Sequence, residues 1–278
     1  MNFFKAIILG IIEGITEWIP ISSTAHIKIF SEILSFEVSN DFFRVFEVVI
    51  QLGAIFALLI IFWNKIWPFG ESKNPLSSSG PLKYVKKDKF ILLLKMAVAC
   101  IPVIIFELFL DNIFVFVNED NEMTIIAIAL IVIGLFFIIV ELMIRNKKPT
   151  ITSTKQISFT NAIIIGLSQL VAAVVPGVSR SGATIIAGLL MGLSRQVATE
   201  FTFELAIPVM FGASFMKMLD FGFAFSFSEV TLLLLSCAFA FIVSLFVIRF
   251  VIDYIKKNNY VMFGIYRIIL GILILAFM

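Results

Sequence analysis

Charge is scarce in this chain. Asp, Glu, Lys and Arg make up 14% of the 278 residues, where soluble domains carry about 25%. Histidine occurs once and cysteine twice. With 60% hydrophobic residues and a mean hydropathy of +1.08, the chain is expected to be an all-α polytopic membrane protein of one domain, residues 1–278. No basic run with interleaved aromatics is present, which argues against a nucleic-acid partner. Cys100 and Cys237 lie midway along apolar runs and read as small core residues, not as a disulfide or metal site. Residues 1–20 carry Glu13 and Glu17 within their apolar part and no small-residue cleavage site, so a secretory signal peptide does not fit.

Against that background, residues 9–28 (LGIIEGITEWIPISSTAHIK) concentrate polar groups. Glu13 and Glu17 are four apart and share one helix face. Pro20 breaks the helix, having no N–H to donate. Ser22, Ser23 and Thr24 follow as helix-starting residues, and then His26, the only histidine. Ionisable groups at membrane depth cost several kcal/mol unless paired or wetted. Neither 3–19 nor 24–36 reaches the roughly 20 apolar residues of a full span, so the pair reads as a re-entrant hairpin. Irregular backbone at that depth is tolerated where it is buried in protein or lines a wet cavity.

The pattern recurs. Full spans are expected at about 42–63, 90–110 and 122–144. A second interrupted pair follows at about 157–175 and 180–193, then spans at about 200–219, 229–252 and 260–278. The order is hairpin plus three spans, twice, giving repeat one at about 1–144 and repeat two at about 157–278. Gly10 and Pro20 are ten apart, as are Gly166 and Pro176. Aligning these pairs places Glu13 on Gln169 and Glu17 on Ala173. EVVIQLGAI (47–55) likewise lies on EFTFELAIP (200–208), pairing Glu47 with Glu200 and Gln51 with Glu204. Glu47, Gln51, Glu200 and Glu204 are read as starting equivalent helices, where negative charge is stabilising, so a structural role competes with a functional one.

Charge distribution sets the expected orientation. The loop 64–89 holds Lys65, Lys73, Lys83, Lys86, Lys87 and Lys89. The loop 145–156 holds Arg145, Lys147, Lys148 and Lys155, and Lys256 and Lys257 lie in a third turn. These are expected to be cytoplasmic. Residues 111–122 hold Asp111, Glu119, Asp120 and Glu122 without a base and are expected outside, as are both termini. The three spans per repeat then invert the second repeat relative to the first, the arrangement in which substrate sites form near the midplane.

The second break reads Pro176-Gly177-Val178-Ser179-Arg180-Ser181-Gly182-Ala183-Thr184. A loop opening a helix presents unpaired N–H groups to anions. Ser179, Ser181 and Thr184 add hydroxyls, and Arg180 a planar fork suited to phosphate. The first break could supply reactive groups: Ser22 or Ser23 as nucleophile with His26 as base, or His26 attacking directly. Glu13 and Glu17 could hold a divalent cation, Mg2+ or Ca2+, that bridges phosphate oxygens. Gln169, in the place of Glu13, is expected near the site. Each part has a bland reading: a hydrogen-bonded core histidine, a structural carboxylate network, an ordinary turn with a snorkelling arginine. Their joint occurrence at both breaks favours a phosphate site.

At these residues the sequence resembles the bacitracin-resistance type of undecaprenyl-diphosphate phosphatase, over nearly the whole chain. The resemblance is carried by LGIIEGITEWIPISSTAH, FEVVIQLGAI and PGVSRSGATI. It implies a glutamate motif at Glu13 and Glu17, a serine–histidine segment at Ser22, Ser23 and His26, and a phosphate motif at Ser179, Arg180, Ser181 and Thr184. It also implies removal of one phosphate from a C55 isoprenoid diphosphate left by cell-wall polymerisation. That work would depend on a divalent metal and take place on the outer side of the bacterial cytoplasmic membrane. Glu17, Ser23, His26 and Arg180 are the expected catalytic set. Glu13, Ser22, Thr24, Gln169, Ser179, Ser181, Gly182 and Thr184 are expected around the substrate. Ala25 stands where the family often has Gly, suggesting a helical residue there, and Glu204 stands where an apolar residue is expected. The expected partners are the polyprenyl diphosphate, membrane lipid and, if the chain self-associates, a second copy in a homodimer. The rival reading is a transporter or flippase of an anionic lipid, which needs the anion cradle but not His26 and its neighbouring serines.

Overall fold

The computed structural model describes residues 2–71, 74–109 and 121–277. Lys73 and the acidic residues Asp111, Glu119 and Asp120, used above to assign sides, lie outside the described residues. Among the described residues the long elements are all helices, and both interrupted segments fold as hairpins. The first joins α1 (Asn2–Thr16) to α2 (Ser23–Ile33), and the second joins α7 (Phe159–Val174) to α8 (Arg180–Leu190). Each first limb ends within four residues of its proline, which cannot continue the hydrogen-bond ladder.

After the first hairpin come α3 (Asn40–Val49) and α4 (Gln51–Ile66), which adjoin at Ile50, then α5 (Lys87–Phe109) and α6 (Glu122–Ile144). After the second come α9 (Arg195–Asp220), α10 (Phe227–Ile255) and α11 (Val261–Phe277). Five helical segments are long and apolar enough to cross a bilayer: Asn40–Ile66, Lys87–Phe109, Glu122–Ile144, Arg195–Asp220 and Phe227–Ile255. The chain is thus a polytopic helical membrane protein. The sixth expected span, 260–278, forms the shorter helix α11 of 17 residues. At 1.5 Å per residue it is about 26 Å long, somewhat under the roughly 30 Å hydrocarbon thickness.

The two halves pack through the same devices. α1 lies along α10, as α7 lies along α5, while α4 meets α9 and α6 meets α11. Glycine makes these contacts close. A Cβ added to Gly10 would sit 2.3 Å from the carbonyl oxygen of Ser236 on α10, and one added to Gly166 would sit 2.3 Å from that of Ala99 on α5. Gly134 and Gly264 face each other's carbonyls across α6 and α11. Small residues at such crossings let backbones approach where lipid offers no hydrophobic drive between helices.

The matched glutamates are held by lysines: Lys28 Nζ lies 3.6 Å from Glu47 and Lys65 Nζ 2.8 Å from Glu200. Glu47, expected at a helix start, instead lies near the C-terminal end of α3, because the span is interrupted at Ile50, between α3 and α4. Its ion pair, not the helix dipole, explains it. Trp18 is fully buried, donating from Nε1 to Ser244 Oγ at 2.8 Å. Trp63 and Trp67 stack at the exposed end of α4, where boundary tryptophans belong.

A candidate active site between the two hairpin tips

Both tips are built on a serine in the left-handed backbone region. Ser22 has φ +76° and Ser179 has φ +70°, uncommon for a residue with a Cβ. Each caps the following helix: Ser22 Oγ accepts from Ala25 N–H at 3.4 Å, and Ser179 Oγ accepts from Gly182 N–H at 3.3 Å. The caps aim the N-termini of α2 and α8 into the bundle. Ala25 is helical, as its departure from glycine suggested. A buried arginine on α11 ties the tips together. Arg267 donates from Nη1 to Pro20 O at 3.1 Å, and from Nη2 to Gly177 O at 2.7 Å and Val178 O at 2.9 Å. These carbonyls are left over where each helix breaks, and a guanidinium fork satisfies several at once.

Between the tips, Glu17 joins the two halves of the chain. Its Oε2 accepts from Ser23 Oγ–H at 2.6 Å, and its Oε1 accepts from Arg180 Nη2 at 2.7 Å. Around this trio, the hydroxyls of Ser179 and Ser181 are 3.0 Å apart. Thr184 donates to Arg180 O at 3.0 Å and accepts from Thr202 at 2.9 Å, which locks the first turn of α8. A Cβ added at Gly182 would lie 3.6 Å from Arg267 and Phe137, and Thr24 is half-buried beside Ser23.

His26 is placed beside this trio and held on both sides. Its Nδ1 lies 2.7 Å from Ser22 O and its Nε2 2.7 Å from Tyr266 Oη. A carbonyl only accepts, so Nδ1 carries the proton, and in the neutral ring Nε2 accepts from the tyrosine. Tyr266 also stacks on the imidazole, with ring centroids 5.7 Å apart. The Ser23 hydroxyl is therefore turned to Glu17, not to His26.

Several buried polar atoms here have no protein partner: both carboxylate oxygens of Glu13, Nη1 of Arg180 and Oε1 of Gln169. Leaving such an atom unpaired costs about 1–3 kcal/mol, and more when it is charged. Gln169 Nε2 donates to Ala99 O on α5 at 3.2 Å, which points this amide at the α5–α7 contact. Glu13 and Glu17 are the only carboxylates in the described site, and no group of three or more His, Cys, Asp or Glu side chains converges anywhere among the described residues.

Arg267 and Tyr266 were missed by the reading of motifs, because neither lies near a chain break. The signal existed: an arginine inside the otherwise apolar VMFGIYRIILGILILAF is costly unless it has an interior task.

The chain is a polytopic helical membrane protein that brings a serine, a carboxylate and an arginine together between two capped helix N-termini, donors and charge of the kind that hold an anionic group. Comparison with known proteins places it further. The family described as bacitracin resistance protein BacA matches residues 6–273, and the chain belongs to that family. An undecaprenyl-diphosphatase of Enterococcus faecalis is 48% identical, over 99% of this chain and 96% of its own length. Those of Lachnoclostridium phytofermentans and Desulfitobacterium hafniense are 47% and 46% identical, covering all of this chain and 97% and 96% of theirs.

Proposed function

We propose that the protein is a membrane phosphatase that hydrolyses undecaprenyl diphosphate to undecaprenyl phosphate and inorganic phosphate. This step recycles a cell-wall lipid carrier and confers resistance to bacitracin. The observation that carries the reading is the Ser23–Glu17–Arg180 contact. Phosphoryl transfer asks for positioning and charge neutralisation more than covalent work, and this trio offers a nucleophile, a proton acceptor and a cation in one chain of hydrogen bonds.

Ser23 Oγ attacks the terminal phosphorus while Glu17 takes its proton. The bond from that phosphorus to the bridging oxygen breaks, and the lipid monophosphate leaves with the electron pair. Water then attacks the phosphoserine, inorganic phosphate departs, and Ser23 regains its proton. Nη1 of Arg180, free of protein partners, takes a phosphate oxygen, and the N–H groups opening α2 and α8 take others. His26 has both ring nitrogens engaged, by Ser22 and Tyr266, and would assist proton movement to the leaving oxygen through the Tyr266 hydroxyl.

A divalent cation, Mg2+ or Ca2+, fits the unpartnered carboxylate of Glu13, since both ions take oxygen ligands and Mg2+ is commonly held by one or two carboxylates plus substrate phosphates. Glu17, though engaged, keeps a spare lone pair on each oxygen. The cation would supply charge neutralisation to the phosphate oxygens. The reciprocal packing of the halves supports a reading as inverted repeats, with the site opening to the outer side of the bacterial cytoplasmic membrane. The isoprenoid tail would lie among exposed Phe and Ile side chains, each CH2 contributing about 0.8 kcal/mol on burial. A carrier of anionic lipid would use the same cradle, but it would not need a serine hydroxyl on a carboxylate.

Purified protein in detergent with a long-chain isoprenoid diphosphate and Mg2+ should release inorganic phosphate, and Ser23→Ala and Arg180→Ala should not. Absence of phosphate from the unaltered protein, or full release by both variants, would overturn the phosphatase reading.

A further inference from the structure

A second charged concavity lies at the opposite end of α8 from Arg180. α8 has 11 residues, so about 16 Å along its axis separates the two. The concavity, with a volume of about 750 Å3, is enclosed by the C-terminal ends of α6, α8 and α10 and the start of α9. Arg145, Lys147, Lys148, Arg195, Lys256 and Lys257 all line it, and no carboxylate does.

Two of these cations are already paired: Arg195 with Glu141, and Lys256 with Asp253 at 2.8 Å. Arg145, Lys147, Lys148 and Lys257 have no ion partner among the described residues. The frame that holds them is built. Glu141, buried on α6, accepts from the Arg195 guanidinium and from Tyr260 N–H at 3.0 Å, which fastens α6, α9 and the α10–α11 turn together. The 145–156 segment is pinned to the α8–α9 turn: Thr150 N–H and Ile151 N–H donate to Gly192 O at 3.0 and 3.1 Å, and Ser194 N–H to Ile151 O at 2.8 Å. The rim carries apolar side chains turned outward, Met143, Leu190 and Met262, each about half or more exposed.

Excess positive charge in a loop follows from membrane orientation alone. That rule does not require four unpaired cations to converge on one concavity, nor an apolar rim continuous with the lipid-facing helices. We propose that this concavity binds the headgroup of an anionic phospholipid. The phosphate would sit among Arg145, Lys147, Lys148 and Lys257, and the acyl chains would run down past Leu190 and Met262. Basic pockets at helix ends between transmembrane segments recognise lipids in this way, and the headgroup commits the occupant because the rim is apolar where a free ion would need water.

The test uses the full-length protein, purified and reconstituted in nanodiscs of phosphatidylcholine, with a fluorescent phosphatidylglycerol as probe. A Lys147→Gln/Lys257→Gln variant should bind the probe about 30-fold more weakly. A Lys83→Gln/Lys87→Gln control, which loses the same charge elsewhere, should bind as the parent does. A melting temperature unchanged from the parent's in both variants serves as the check that the fold survives. Millimolar inorganic phosphate should leave the probe bound. Equal weakening in the pocket and control variants would overturn the proposal, since it would reduce the effect to net charge. Displacement by inorganic phosphate would overturn it in favour of a free-anion site. The outcome is independent of whether the hairpin site proves to be a phosphatase.

Discussion

Arg180 and Glu17 are 163 positions apart, yet Arg180 Nη2 lies 2.7 Å from Glu17 Oε1. Neither hairpin holds a complete site: the first has carboxylates, serine and histidine, and the second has the arginine and a hydroxyl-rich helix start. Their pairing across the bundle brings the two halves together, and it also puts a charge pair in the protein interior, where losing one member strands the other.

Removing one member should therefore cost stability and function together. Arg180→Ala is expected to abolish phosphate release and to destabilise by about 3–5 kcal/mol, the usual result of leaving a buried charge uncompensated. The double variant Glu17→Gln/Arg180→Met should regain most of that stability and none of the activity. Thermal unfolding in detergent beside a phosphate assay separates the two effects. A double variant as unstable as the single one would show that the pair is not the stabilising contact.

The adjacent serines should behave differently. Ser22 supplies a cap and a positive φ, both of which glycine nearly reproduces, at a few tenths of a kcal/mol. Ser22→Gly is expected to stay within about tenfold of the parent rate, a small loss for a residue that only shapes the tip. Ser23→Ala, which removes the hydroxyl on Glu17, should lose about 10³-fold or more. Steady-state rates of the two variants at saturating substrate decide the matter.

The glycine contacts give a prediction about packing alone. Gly10→Ala and Gly166→Ala each drive a Cβ to 2.3 Å from a backbone oxygen on a neighbouring helix. Backbone cannot rotate away as a side chain can, so each should destabilise by about 1–3 kcal/mol or more. Gly212 on α9 has no atom within 4 Å of an added Cβ, so Gly212→Ala should be neutral or stabilise by up to about 1 kcal/mol. Melting temperatures of the three variants test this directly.

How much of this was legible beforehand differs by residue. Pro20 and Pro176, flanked by short apolar stretches, marked both hairpins, and the serine-rich starts after them marked the caps, because chain breaks and caps leave local signatures. The Glu17–Arg180 contact was not legible, since it depends on how the two breaks face each other across the bundle. Arg267 and Tyr266 left no local signature, since what they do depends on α11 crossing both tips. The position of Glu47 was misjudged for a related reason: the apolar run continues through Ile50 and does not show the break between α3 and α4 there. The lysine that holds it, Lys28, lies on α2, a separate element.

Glu13 should carry the metal dependence. With both its oxygens buried and unpartnered, Glu13→Gln is expected to raise the Mg2+ concentration needed for half-maximal rate by about tenfold or more, on the scale of a lost charged ligand. It should leave the fold intact, since the substitution keeps the side chain's shape and the Glu13 carboxylate oxygens accept no hydrogen bond. A metal titration of the phosphate assay reads this. An unchanged half-maximal concentration would take Glu13 out of the cation's shell.

The central claim is that Ser23, activated by Glu17 and faced by Arg180, carries the phosphoryl group. It is tested most directly by quenching a single turnover on undecaprenyl diphosphate labelled in its terminal phosphate and mapping the label on the protein, with parallel acid and alkaline quenches to preserve either ester or phosphoramidate. The account predicts acid-stable label on Ser23, absent from Ser23→Ala. Label on His26 would contradict it.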